Sequence, residues 1–198
     1  MNLISVIITI LGVLLISCGE NDKSDRYGVP RPVAWPRLPV SVSDSMTEVE
    51  GLPVKMFVNP KVTYSQNKTD HQGLTIVYPP EANAEIYFTF IKAKDETERR
   101  RIIEARQERI SLNLNGLPAM TIHGKGTEGS EAIVVVAKSG TQTPVQLLAE
   151  MPGYVVTGTA FLKDPRVSMA YDSIKPLIEV LEYDMTHALK GIKYEQEL

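Results

Sequence analysis

From Ala84 to Ile91 the chain alternates. Ile86, Phe88 and Phe90 fall on one side of an extended backbone, and Glu85, Tyr87 and Thr89 on the other. A period of two marks a strand with one buried face. Strand-like runs precede it at Leu38–Ser43, Val54–Val58, Val62–Ser65 and Gly73–Tyr78, with Asn59-Pro60 as a turn and Pro79–Asn83 as a hairpin-like connection. Four more follow at Ala119–Lys125, Glu131–Lys138, Pro144–Glu150 and Tyr154–Lys163. The turns between them are Gly126–Gly129, Ser139–Gln142 and Pro152-Gly153. Turns this short join antiparallel neighbours. Ile133 to Val136 is apolar on both faces, so its strand should be an inner one, covered on both sides.

Two segments switch to a helical period. Asp95 and Glu98 have the spacing of a capping box, Ile102, Ile103, Ala105 and Ile110 mark an inner side, and Asn115-Gly116 ends the run. Near the C-terminus Ile174, Leu177, Ile178, Leu181, Met185, Ala188, Leu189 and Ile192 recur at intervals of three and four. Asp172 or Ser173 is the expected cap, and Pro176 is tolerated in a first turn. The expected fold class is α+β: one domain, residues 37–198, with an antiparallel β-sheet packed by a mid-chain helix and a C-terminal helix.

The start of the chain follows a different rule. Leu3 to Ile16 is uncharged and apolar, too short to span a bilayer and of the length of a signal-peptide core. Leu15-Ile16-Ser17-Cys18 follows and resembles the lipobox of bacterial lipoproteins, in which the thiol is acylated and the preceding residues, here 1–17, are removed. Met1-Asn2 lacks the usual Lys or Arg, and a signal anchor is the competing reading. Cys18 is the only cysteine, so no internal disulfide can form, and acylation would dispose of a lone exported thiol. Residues 18–36 are polar and then proline-rich, the composition of a lipidated tether that stiffens towards its end. Gly19 replaces the aspartate that retains some lipoproteins at the inner membrane, which favours an outer-membrane anchor, on the periplasmic side. The net charge of −3 and the absence of a basic stripe interleaved with aromatics argue against a nucleic-acid partner.

Candidate chemistry is sparse. His71, His123 and His187 show no metal-ligand spacing, no G-x-S-x-G or phosphate-loop order occurs, and no cofactor is implied. Arg99-Arg100-Arg101 could bind phosphate or anionic lipid, but its acidic neighbours favour a solvated face with pairs such as Glu96–Arg100. Asp44-Ser45-Met46 resembles the short O-glycosylation acceptor of Bacteroidetes, which makes Ser45 a candidate. Trp35, the only tryptophan, lies between Arg31 and Arg37; these three form a candidate partner contact, with Trp35 as a plug for its own sheet as the alternative.

Three segments together resemble the gliding-motility lipoprotein GldD family of Bacteroidetes. They are Tyr27–Pro39, which carries Pro30, Arg31-Pro32, Trp35, Arg37 and Leu38; Leu74–Phe90, with Tyr78-Pro79 at its turn; and Pro144–Tyr194, with Val145-Gln146-Leu147, Gly158, Phe161 and a run from Asp172 to Asp184. Val33-Ala34 departs from the Arg-Gly usual at that place. The resemblance implies a non-enzymatic, membrane-anchored accessory of gliding motility and type IX secretion, whose partners are protein components of the envelope machinery. Two other functions stand beside it. One is a small-ligand or enzymatic domain using His71, His123 and nearby acids. The other is a surface glycan-binding lipoprotein, which an aromatic content of 7% disfavours.

Overall fold

The computed structural model describes residues 41–67, 72–163 and 171–195. They form ten strands and two α-helices in an α+β arrangement. β1 (Thr47–Val49) and β2 (Met56–Val58) make a two-stranded antiparallel ribbon. β3 (Thr63–Asn67), β4 (Gln72–Val77), β5 (Ala84–Lys92), β6 (Ala119–Lys125), β7 (Glu131–Ala137), β8 (Val145–Met151), β9 (Tyr154–Leu162) and β10 (Lys193–Glu195) build one antiparallel sheet. Its spatial order is β10-β6-β7-β8-β9-β5-β4-β3. The helices are α1 (Glu96–Leu114) and α2 (Tyr171–Ala188). Among the described residues no helix is long and apolar enough to cross a membrane.

The core lies on one face of the sheet. Register brings Leu74, Phe88, Gly158, Leu147, Val134 and Ile122 into one cross-strand row. The buried stripe of α2, from Ile174 through Leu177, Ile178, Leu181 and Met185 to Ala188, belongs to the same apolar cluster. Gly158 makes the row possible, because a Cβ there would stand 2.7 Å from Phe88 Cε1 and 3.3 Å from Leu147 Cβ. The Phe88 ring, 2% exposed, fills that space.

Among the described residues the opposite face is covered only in part. Leu148, Val135 and Val155 are buried there, and α1 packs against β8 and β9. No residue of α1 is fully buried. Asp95 caps the helix as expected, its Oδ1 accepting from the Glu98 amide at 2.8 Å, but the Glu98 carboxylate reaches one residue further back than in a capping box and accepts from Lys94 N at 2.9 Å. Asn115 closes the helix in the left-handed region, at φ 47°. Ile102, Ile103 and Ile110 are half-buried as expected, but Ala105 is exposed. At 100° per residue, the position that follows Ile103 on the inner side is 106, so Arg106 takes it.

Other boundaries shift for local reasons. Ser41–Ser43 is loop rather than strand, and residues 38–40 lie outside the described set. β1 and β10 were not anticipated. α2 begins at Tyr171, so Asp172 and Ser173 sit inside its first turn rather than at the cap, and Pro176 lies in the second turn. The helix stops at Ala188 instead of running through Ile192: the Lys190 amide donates to Lys55 O at 3.1 Å, and the chain turns through Gly191 at φ 84°.

Candidate functional site

Three buried polar side chains converge under α2. Asn59 ends β2 in an Asn-Pro turn, Tyr78 ends β4 in a Tyr-Pro turn, and Asp184 interrupts the apolar stripe of α2. All three are at most 5% exposed. The Tyr78 hydroxyl donates to Asp184 Oδ2 at 2.5 Å. Asn59 Nδ2 lies 3.3 and 3.4 Å from the two carboxylate oxygens and 3.1 Å from Ser41 O, and Asn59 Oδ1 accepts from the Lys61 amide at 3.1 Å. A buried carboxylate needs such donors, since an unpartnered charge in a dry core is costly. The cluster ties two Pro-containing turns to the last helix.

Burial holds the Asp184 carboxyl above its ordinary range, while the hydrogen bonds from Tyr78 and Asn59 and the charge of His187 pull it back down. Burial also pushes the Tyr78 phenol well up, helped by the Asp184 charge and hydrogen bond. A raised carboxyl means that the folded chain takes up its proton at higher pH than the unfolded chain does. The stability linked to that proton is fully present below about pH 4 and is lost as the pH rises through the folded-state value. The wild type should therefore gain stability relative to Asp184→Asn as the pH falls from 7 towards 4. Urea midpoints of the two proteins across that range check this, and parallel curves would contradict it.

An open groove of about 760 Å³ lies beside the C-terminal end of α2. Its walls include Phe57, Ile122, Tyr183, Leu189, Ile192 and Tyr194, and Val42 reaches it from the start of the described chain. The Tyr183 and His187 rings stack with centroids 3.8 Å apart, and Lys190 Nζ sits 5.9 Å from the Phe57 centroid. Gly124 on β6 lets this corner close, because a Cβ there would stand 2.7 Å from both Ile192 Cγ2 and the Tyr194 ring. The Tyr194 hydroxyl is buried without a hydrogen-bond partner among the described residues, and burial pushes its phenol up. On the rim, Glu182 is held above the usual carboxylate range by burial first and by Glu179, with Lys138 opposing.

The residues singled out from sequence are dispersed. Cys18, Arg31, Trp35, Arg37 and His71 lie outside the described residues. Ser45 is in an exposed bend, with its carbonyl accepting from Ser43 Oγ at 3.1 Å. His123 is exposed on β6, and His187 is exposed on α2 within the stacked pair. Arg99 bridges Glu150 at 3.1 Å and Glu96 at 3.3 Å, so the partner of Glu96 is Arg99 and not Arg100. Among the described residues no three His, Cys, Asp or Glu side chains gather as a metal site. Asp184 was within reach of sequence reasoning: it lies three residues after Leu181 and four before Ala188, a stripe position where a polar residue must be satisfied. Its partners Asn59 and Tyr78 are more than 100 residues away in sequence, and no local spacing connects them.

No protein-family model matches the chain, and no curated protein matches it.

Proposed function

We propose that this protein is a lipid-anchored envelope lipoprotein, similar to the GldD family, that serves without catalysis in assembling the gliding-motility and type IX secretion machinery. It is held at the outer membrane, on the periplasmic side, through Cys18. One observation carries the reading beyond the motifs themselves: the segments that resemble the family meet in the fold. Tyr78 of the second segment hydrogen-bonds Asp184 of the third at 2.5 Å, and Phe88 of the second fills the space left by Gly158 of the third, against Leu147. Motif residues that support one another across the chain are what a shared fold requires, whereas scattered coincidences need not touch. The described part of the cluster also suits a holding role, since its carboxylate is committed to hydrogen bonds that join elements.

The working contact is then the tether end, Arg31, Trp35 and Arg37, together with the domain behind it. Val42, on the groove, follows Cys18 by 24 residues, a span of at most about 80 Å when fully extended. Replacing Trp35 and Arg37 with Ala should abolish in-cell crosslinking to secretion or motility components while the melting temperature stays unchanged. A lowered melting temperature with capture intact would make Trp35 a packing residue instead. Recovering no such component with the wild type would overturn the reading.

A second reading, a periplasmic small-ligand module, draws on the groove, whose volume falls within the range of small-molecule sites. It requires that a groove substitution such as Tyr183→Ala abolish function while crosslinking through the tether persists.

A further inference from the structure

Between α1 and the sheet lies a small notch lined by Arg106, Arg109, Asn113, Gln146, Thr157 and Thr159 among its walls, with a cavity of about 40 Å³. Its chemistry is one-sided. Arg106 and Arg109 are neighbours on one helix face, three residues apart, and neither makes an ion pair with an acid among the described residues. Elsewhere the same helix does neutralise itself, with Arg99 held between Glu96 and Glu150. Gln146 stands in the sheet floor at 2% exposure. Its Oε1 accepts from Asn113 Nδ2 at 2.7 Å, which turns its Nε2 into the remaining donor, and that Nε2 is buried with no partner. Thr159 is the cross-strand neighbour of Gln146, and Thr157 lies one pair along on the same face, so two hydroxyls join the donors.

A buried amide donor without an acceptor is unfavourable, and two guanidinium groups three residues apart on one helix face repel each other. Burial and the nearby Arg109 both depress the Arg106 guanidinium, so a bound negative charge would relieve a real repulsion. An oxyanion supplies what is missing at once: acceptors for Gln146 Nε2 and the hydroxyls, and charge for both arginines. We propose that this notch is an oxyanion-binding site that receives the carboxylate or phosphate group of a ligand, with Gln146 and Arg106 as inner donors and Arg109 at the mouth. The cavity has room for little more than one polar group, so the rest of the ligand stays outside it. The site is separate from the groove beside α2 and does not depend on the envelope reading.

The test uses the full chain as cells produce it, in non-ionic detergent. It is titrated with inorganic phosphate, with acetate, and with chloride at matched ionic strength, and followed by melting temperature and by the Gln146 side-chain amide signal in NMR. Phosphate or acetate should raise the melting temperature saturably and move the Gln146 amide, and chloride should do neither. Arg106→Gln should weaken that binding about tenfold or more, the loss of one charge-assisted hydrogen bond, and Arg109→Gln should weaken it less. Arg106 is half-buried and Arg109 exposed, on a helix with no fully buried residue, so the variants should stay folded, which their unliganded melting temperatures report. A response to phosphate alone assigns a phosphoryl group, and a response to acetate alone a carboxylate. No saturable response to either anion, or an equal response in the Arg106→Gln/Arg109→Gln double variant, overturns the proposal.

Discussion

Asp184→Ala should lower stability by about 3 kcal/mol, a fall in melting temperature of roughly 6–12 °C for a domain of this size. The substitution removes the acceptor of the Tyr78 hydroxyl and two of the contacts of Asn59 Nδ2, all within a site at most 5% exposed. The orphaned hydroxyl is the larger loss, because Asn59 keeps Ser41 O. Asp184→Asn retains an acceptor for Tyr78 and should cost less. Tyr78→Phe should cost about 1–2 kcal/mol, and combining it with Asp184→Ala should add little, since the alanine has already broken that bond. Urea unfolding of the four proteins measures the coupling. Strict additivity would mean that the tyrosine and the aspartate do not act as a pair.

Gly158→Val is the second large effect. Even the first added carbon would lie 2.7 Å from Phe88 Cε1 and 3.0 Å from Phe88 Cδ1, and the ring sits in the middle of an eight-stranded sheet with no solvent to move into. Overpacking of this kind costs about 1–3 kcal/mol, and valine, with two further methyl groups, should reach or exceed the top of that range. Gly158→Ala should be milder. Shortening Phe88 to Leu in the Gly158→Ala background should recover part of the loss, although Phe88→Leu alone destabilises. Thermal melts of the singles and the double check this, and a double variant as unstable as the sum of the singles would contradict it.

These two sites show what a sequence can and cannot carry. β6 was readable to the residue, because its alternation is bounded by Pro118 and by Gly126, and the turn that joins it to β7 is short enough to admit only antiparallel pairing. The start of α1 was equally plain, since Asp95 and Glu98 act within one helical turn. β1 and β10 were not: three residues hold no period, and both strands owe their existence to pairing, β10 with β6 some 70 residues earlier. Ile192 has helical spacing from Leu189 yet lies beyond α2, because the chain leaves the helix to reach that pairing. Arg106 was hidden by Ala105, whose apolar character drew the inner face of α1 one residue out of place. Gln146 was visible only as the centre of Val145-Gln146-Leu147, and its isolation as a donor depends on Asn113, from another element. Local signals therefore located the longer elements, while β1, β10, the buried cluster and the notch arise from residues that only the fold brings together.

Everything proposed about position rests on Cys18. The most direct measurement follows labelled palmitate in cells producing the wild type and Cys18→Ala, with each protein then partitioned between membrane and soluble fractions. The wild type should carry the label and stay with the membrane, and Cys18→Ala should lose the label and remain as the uncleaved precursor, longer by residues 1–17. Equal labelling of both proteins, or a wild type that stays unlabelled and retains residues 1–17, would contradict lipid anchoring and leave Leu3 to Ile16 as a plain signal anchor.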